Sequence, residues 1–318
     1  MSYRNKKILI TGATGFIGTN LVNRMKTLGY SNLAAVSSRD YDLLKQENVK
    51  RMFTEIRPDI VVHLAAYVGG ILANKSYPAD FIYRNLTINT QVIHEASAFC
   101  VEKLMTCIGG CSYPNTAQSP ISEESLFNGL PAKESAPYSI AKAVGFLQVK
   151  SYREQYNLNG IVLVPGNVYG PHDNFSRDNS HVIPGLIRKI YDAKKSKEKR
   201  FVAWGTGKPV RDFVYIQDAV DGLIKALEGY NGPDLINISS GIPTSIKELV
   251  ELITKLSDFD GEIVWDASKP DGKAYKIFDV TRMRNILNYE CRTSLKEGLE
   301  KTIEWFNQNY GKGIIRLE

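Results

Sequence analysis

The sequence has no long apolar run: none of its 318 residues belongs to a stretch approaching the roughly 18 consecutive apolar positions of a membrane-spanning helix. Its first residues, Met1-Ser2-Tyr3-Arg4-Asn5-Lys6-Lys7, lead into an apolar run before Gly12 that is too short for the core of a secretory signal. A cytoplasmic protein is therefore expected. Cysteine is scarce as well. Cys100, Cys107, Cys111 and Cys291 form neither a CxxC pair nor a metal-ligand spacing, which argues against a disulfide framework and a metal centre and suits a reducing compartment. Three of the four read as small buried hydrophobes; Cys111 is taken up below. Charge of one sign is not concentrated anywhere. Lys plus Arg number 40 against 34 Asp plus Glu, a net +6, and no basic arm interleaved with aromatics points to nucleic acid. The charged stretch Lys194–Arg200 reads as an exposed helix end or loop. The small positive excess suits an anionic small molecule. With 43% hydrophobic and 23% charged residues, and no repeat or low-complexity linker, this is the composition of a globular protein.

The chain begins with alternating strand and helix patterns. Lys7–Thr11, Leu33–Ser37, Ile60–Leu64, Lys103–Ile108 and Gly160–Val164 read as short strands. Phe16–Leu28, Gln46–Ile56, Leu86–Cys100 and Tyr138–Tyr156 read as helices. That order predicts an α/β fold: a Rossmann-type doubly wound parallel sheet. Beyond Pro165 the pattern loosens into polar turns and short helices, such as Ile183–Ala193 and Ser245–Leu256, while Ile236–Ser239 reads as a strand that rejoins the sheet. The expected organisation is a dinucleotide-binding unit over 1–165, with a returning segment near 210–240, and a smaller, partly interleaved substrate lobe over 166–318.

Between the first strand and first helix lies Thr11-Gly12-Ala13-Thr14-Gly15-Phe16-Ile17-Gly18. Glycines here allow a tight turn, bring backbone N–H groups to a pyrophosphate at the positive end of the helix, and let helix and strand pack closely. A glycine triplet alone is a weak signal, but this one has the strand-turn-helix context the chemistry requires. The second strand ends at Ser37-Ser38-Arg39-Asp40, about 20 residues on, where an acid would bind a ribose 2′-hydroxyl and an arginine a 2′-phosphate. Arg39 favours NADP(H), with Asp40 pointing the other way.

Tyr138-Ser139-Ile140-Ala141-Lys142 puts a phenol and an ammonium on one helix face. An ammonium beside a phenol favours the phenolate and should lower its pKa, making Tyr138 a candidate acid/base. Such a pair alone is more often an exposed helix pair. Together with the glycine loop it resembles the short-chain dehydrogenase/reductases. The strings His63-Leu64-Ala65-Ala66-Tyr67-Val68-Gly69-Gly70-Ile71, Asn167-Val168-Tyr169-Gly170-Pro171-His172-Asp173-Asn174, Asn179-Ser180-His181-Val182-Ile183-Pro184, Trp204-Gly205-Thr206-Gly207 and Asp266-Ala267-Ser268-Lys269-Pro270-Asp271-Gly272 narrow the match. They are similar to the GDP-L-fucose synthases, the GDP-4-keto-6-deoxymannose 3,5-epimerase/4-reductases, over almost the whole chain.

The resemblance implies that Tyr138 protonates the C4 oxygen as NADPH delivers hydride to C4, that Lys142 partners the phenol and the nicotinamide ribose, and that Cys111 and His181 exchange protons at C3 and C5. It implies cofactor contacts from Gly12, Thr14, Gly15, Phe16, Ile17, Gly18 and Arg39, from Leu64, Ala65 and Ala66, and from Lys142, Pro165, Asn167, Val168 and His181. Substrate contacts fall on Asn167, Arg188, Trp204, Arg211 and Lys269; Arg211 stands in Arg211-Asp212-Phe213 where the family has Arg-Glu-Phe. It also implies a homodimer built on the Leu86–Cys100 and Tyr138–Tyr156 helices.

One departure from the family touches the chemistry. Its Gly-Ser-Ser-Cys-x-Tyr-Pro becomes Ile108-Gly109-Gly110-Cys111-Ser112-Tyr113-Pro114, so the serine that bonds the sugar's C4 oxygen and the tyrosine falls on Gly109. One lost donor of this kind costs about 10²–10³ in rate. Ser112 could replace it only if the loop bends, since along a strand it would face the wrong way. Two other readings stay open: an enzyme with only the C4 reductase or only the C3/C5 epimerase activity, and a non-catalytic NADP-sensing protein. A 4,6-dehydratase is less consistent, because no acidic residue stands beside Cys111.

Overall fold

The computed structural model describes residues 3–317 except Asp178 and Pro270, and not the side chain of Ile71; Met1, Ser2 and Pro270, quoted above, lie outside the described residues. The chain runs β1 (Ile8–Thr11), α1 (Phe16–Thr27), β2 (Leu33–Val36), α2 (Gln46–Ile56), β3 (Ile60–His63), α3 (Ile71–Ser76), α4 (Pro78–Ala98), β4 (Lys103–Cys107), α5 (Ala136–Tyr156) and β5 (Gly160–Pro165). It continues through β6 (Asn167–Tyr169), α6 (Val182–Lys195), β7 (Arg200–Trp204), β8 (Val210–Arg211), β9 (Phe213–Tyr215), α7 (Ile216–Gly229) and β10 (Ile236–Ile238). β11 (Thr244–Ser245), α8 (Ile246–Leu256), β12 (Glu262–Asp266), β13 (Tyr275–Lys276), α9 (Thr281–Leu287) and α10 (Leu295–Asn309) follow.

Six strands form one parallel sheet in the order β10-β5-β4-β3-β1-β2. Its strands β1, β3, β4, β5 and β10 are buried on both faces, which is why most of them read as unbroken apolar runs. Ile8, Ile10, Ile60 and Val62 pack into one core with Leu21, Met25, Val220 and Leu223, whereas Leu9, Val61 and Leu104 pack into the other with Met52, Phe53, Val92 and Ile93. Successive residues thus feed opposite layers, the period of two of an extended chain. The chain reverses its direction of winding between β1 and β3, so the crevice at their carboxyl ends is the expected place for a ligand. The doubly wound α/β fold is the one the sequence pattern predicts.

Three expectations need correction. The helix expected from Leu86 begins at Pro78, because a proline at the first turn is compatible with a helix start. Cys100 is exposed, not a buried hydrophobe, because it occupies the left-handed turn (φ 51°) just past α4. The region beyond Pro165 is richer in regular structure than its pattern suggested. Its strands are two to five residues long, too short for periodicity to register. No helix among the described residues is long and apolar enough to cross a membrane.

A buried polar chain ties this sheet to the helix that carries Tyr138. The His63 ring lies 2.7 Å (Nδ1) from Thr11 Oγ1 and 3.1 Å (Nε2) from Asn89 Oδ1, an arrangement with Nε2–H donating to the amide oxygen and Nδ1 accepting from the hydroxyl. Asn89 Nδ2 in turn reaches the Ala141 carbonyl at 3.5 Å. Burial, with the Lys142 charge, pushes the His63 pKa down to about 3. The unfolded chain therefore takes up a proton near pH 6.5 that the folded protein refuses, and stability is lost as pH falls below that value. At pH 5 the loss amounts to about 2 kcal/mol from this group. Urea unfolding at pH 7 and pH 5 should show a smaller pH-dependent loss for His63→Gln than for the unsubstituted protein; equal losses would contradict this account.

Candidate active site

The glycine loop is built by contact, not by flexibility alone. Gly12 has φ +70°, and a Cβ there would lie 2.6 Å from the Ala65 backbone nitrogen. A Cβ on Gly18 would lie 2.1 Å from the Gly12 carbonyl oxygen, and one on Gly15 would lie 3.0 Å from it. Side chains are excluded from the surface where a diphosphate would rest. Gly15 caps α1 without a side-chain hydrogen bond and the first turn holds no acid, so the helix's N–H groups are available to an anion. Leu64 and Ala65 are fixed against the same loop, through Leu64 N–H to the Thr11 carbonyl (3.1 Å) and Ala65 N–H to Thr11 Oγ1 (3.4 Å). The cradle fits a dinucleotide.

At the end of β2 the two competing signals separate. Asp40 Oδ2 accepts from Ser37 N–H (2.8 Å) and from Ser37 Oγ–H (2.7 Å), and these bonds hold its carboxyl below the usual range. That carboxylate is committed to its own turn. Arg39 is exposed and forms no ion pair among the described residues, which leaves a guanidinium where a 2′-phosphate would lie.

Beyond β4 the chain turns into a 3₁₀ segment, Gly110–Ser112, not a strand. The loop therefore bends, contrary to the extended path assumed for Ser112; its hydroxyl is buried without a partner among the described residues. The bend brings three predicted positions together. A Cβ built on Gly109 would stand 3.1 Å from Cys111 Sγ and 3.8 Å from the Tyr138 phenol oxygen, so a serine here would place its hydroxyl between them. Gly110 is required for a different reason: a Cβ there would meet the Phe278 ring at 2.3 Å.

Tyr138 and Lys142 share one face of α5, with the Phe81 ring edge-on to Tyr138 at 6.2 Å. The expected lowering of the phenol pKa is not found. Burial first, then the Cys111 and Cys107 thiols, push it well above its ordinary value. Burial lowers the pKa of Lys142, and its charge acts on His63 and Cys107. Tyr138 is thus a protonated donor at neutral pH. His181, exposed at the surface, caps α6, and desolvation by the protein beside it pushes its pKa down, favouring a neutral imidazole that can accept a proton. Its segment is set by close approach: a Cβ on Gly70 would be 3.2 Å from the Asn179 Cα.

Pro165 ends β5, Val168 pairs with Val214 in β9, and Asn167 Nδ2 donates to the Asp212 carbonyl at 2.8 Å, tying the exit of β5 to Arg211. Arg211 in β8 is in register with Lys276 in β13, so both side chains belong to one face of a small parallel pair. Burial lowers the pKa of each, Lys273 and Arg211 lower that of Lys276 further, and Cys111 raises it. Lys276 is thereby placed within electrostatic reach of the thiol. Neither Lys273 nor Lys276 was singled out from the sequence; only the pairing of β8 with β13 reveals them. Trp204 is 61% exposed, an unusual state for so large a ring, with Lys189 Nζ 4.4 Å and Lys269 Nζ 5.6 Å from its centroid. Arg188, in contrast, is turned inward. Its Nε donates to Asp192 at 2.9 Å and its guanidinium lies 5.1 Å from the Tyr310 ring centre. One residue of helix rotates the side chain by about 100°, so Lys189, not Arg188, faces the tryptophan. Among the described residues no group of three His, Cys, Asp or Glu is placed to hold a metal ion.

Comparison with known proteins agrees with this geometry. A family model described as the NAD dependent epimerase/dehydratase family matches residues 8–239. GDP-L-fucose synthase 1 of Arabidopsis thaliana is 38% identical over 309 residues, covering 97% of this chain and 95% of the relative. A GDP-L-fucose synthetase from Naegleria fowleri, solved bound to NADP, superposes with a TM-score of 0.91 at 28% identity over 98% of this chain and 96% of its own. A GDP-6-OMe-4-keto-L-xylo-heptose reductase from C. jejuni superposes with a TM-score of 0.89 at 31% identity, covering 97% and 99% of the two chains.

Removing the Arg39 guanidinium should weaken NADPH binding about tenfold or more, the worth of a charge-assisted phosphate contact, and leave NADH binding nearly unchanged. Fluorescence titration of Arg39→Ala with both cofactors checks this, and equal losses for the two would refute it.

Proposed function

The chain belongs to the GDP-L-fucose synthase family, and from that premise we propose that it is an NADP(H)-dependent epimerase/reductase of a GDP-4-keto-6-deoxy sugar. The observation that carries the reading is the convergence of the Cys111 thiol, the Tyr138 phenol and the bare Cα of Gly109 beyond β4, on the side of the sheet where the cofactor cradle opens.

When bound, the nicotinamide supplies hydride to C4. The protein's part is to hold and move protons. Tyr138, kept protonated by burial, donates to the C4 oxygen as it becomes an alkoxide. The ketone acidifies the protons at C3 and C5, and Cys111 and His181 exchange them, the neutral imidazole of His181 being able to accept one. Lys142, on the same face of α5 as Tyr138, would supply positive charge to the phenol and to the ribose of a bound cofactor. The Arg211–Lys276 pair, with Lys273 nearby, suits the diphosphate of the substrate, and the exposed Trp204 face with Lys189 and Lys269 suits its nucleoside end.

Residues 1–165 with the returning 210–240 segment act in this reading as the cofactor unit and the remainder as the substrate lobe. α4 and α5 carry exposed Tyr83, Leu147 and Tyr156, an apolar set consistent with a homodimer that pairs these helices. A cytoplasmic location accords with the free thiols. Gly109 favours one second reading, a C4 reductase for a bulkier, heptose-derived sugar, since its missing side chain leaves space beside the reacting carbon. The retained Tyr138, Lys142, Cys111 and His181 speak against a non-catalytic NADP sensor.

With GDP-4-keto-6-deoxymannose the purified protein should oxidise NADPH, and Tyr138→Phe should slow this by about 10²–10⁴, the contribution of a positioned acid. In deuterated water, NMR should show deuterium entering C3 and C5 with Tyr138→Phe but not with Cys111→Ala. Absence of oxidation despite NADPH binding would exclude this substrate, and reduction without deuterium incorporation would reduce the assignment to a C4 reductase.

A further inference from the structure

The phosphate loop, Gly12-Ala13-Thr14-Gly15-Phe16-Ile17-Gly18, contains no charged side chain, yet the diphosphate of a dinucleotide carries two negative charges. Helix N–H groups meet part of that demand. A cation is brought to the loop from elsewhere. Past α10 the chain returns to lie beside the turn at 174–175, where Phe175 N–H donates to the Arg316 carbonyl (2.9 Å) and Asn174 and Arg316 form an isolated parallel bridge. Ile315 is buried, and Phe175 is held between Trp305 and Phe306, at 6.0 and 4.8 Å between ring centres. The same turn is pinned to the first helix by Asn20 Nδ2, which donates to the Pro171 carbonyl at 2.9 Å. The outcome of this packing is that the Arg316 guanidinium hydrogen-bonds the Thr14 carbonyl in the middle of the glycine loop.

We infer that Arg316 is a cofactor-binding residue whose guanidinium takes the diphosphate of NADP(H) at the glycine loop. A guanidinium has five N–H donors; the Thr14 carbonyl takes one and the residue is exposed, so its fork can reach an anion resting on the loop. The carboxylate that could compete is Asp173. It is buried, forms no ion pair with Arg316 among the described residues, and is held by its own Oδ1 bond to Asn174 N–H at 2.7 Å. The arginine therefore stays available. The sequence gives no hint of this role, because 302 positions separate the two residues in the chain. The inference rests on a dinucleotide occupying the loop, and the experiment keeps the two apart.

Isothermal titration of the full chain with NADPH and with NADH, over a range of salt concentrations, provides the test. Arg316→Ala should raise the Kd of both cofactors by about tenfold and flatten the salt dependence, since the diphosphate is common to both. Arg316→Lys should recover part of the loss. Unchanged Kd values for both cofactors would overturn the assignment, and so would a loss confined to NADPH, which would put Arg316 on the 2′-phosphate. If Arg316→Ala lowers the cofactor-free thermal midpoint, the Arg316→Lys titration decides: an affinity and salt slope no better than those of Arg316→Ala would leave the residue a purely structural role. Failure of the unsubstituted protein to bind either cofactor would instead defeat the dinucleotide reading itself.

Discussion

The carbonyl oxygen of Gly12 lies 2.1 Å from where a side chain at Gly18 would begin, and the backbone of Ala65 lies 2.6 Å from where one at Gly12 would begin. Three backbone segments thus meet with no room for a single carbon, and both sides of the site are referred to that meeting point. On one side it presents bare N–H groups to a diphosphate. On the other, Thr11 at the same crossing passes through the His63 ring and Asn89 to the Ala141 carbonyl, one residue before Lys142. The distance between cofactor cradle and catalytic helix is therefore set by a buried hydrogen-bonded chain whose members have no alternative partners in water.

Burial also sets the chemistry. A phenol beside a lysine suggests a lowered pKa from sequence alone, but the enclosed position of Tyr138 and its two neighbouring thiols act in the opposite sense. Desolvation disfavours the phenolate, and the ammonium does not offset it. The result is a group suited to giving a proton. The imidazole of His181, although the residue is exposed, is pushed the other way, toward its neutral form, by desolvation from the protein beside it, so desolvation makes one group a donor and the other an acceptor.

How much of this was legible in the sequence follows from the distance over which each feature acts. The glycine loop, the strand-helix alternation and the Tyr138/Lys142 spacing are local patterns, and the fold and the shared helix face of Tyr138 and Lys142 came from them directly. Lys276 was not legible, because it enters the site only through the register of β13 against β8, two strands of two residues each. The choice between Arg188 and Lys189 turns on one step of helix rotation, which a motif match does not resolve. Ser112 was placed on the assumption of an extended chain, and the 3₁₀ turn after β4 removes that assumption. Cys100 illustrates the limit of composition: cysteine is usually buried, but a left-handed turn exposes it.

Gly109 stands where the family resemblance implies a serine, and its surroundings say what a side chain there would do. A Cβ would sit 3.8 Å from the Tyr138 phenol oxygen and within 3.1 Å of Cys111 Sγ, a tight but tolerable fit if the thiol shifts by a few tenths of an ångström. If the site performs C4 reduction by proton donation from Tyr138, a hydroxyl restored beside that phenol should assist it. The most direct test is the kcat of Gly109→Ser for NADPH oxidation with GDP-4-keto-6-deoxymannose. The account predicts a rise with unchanged NADPH affinity. A fall in kcat at unchanged cofactor affinity would contradict it, and would mean that the space at Gly109 is used by the substrate itself.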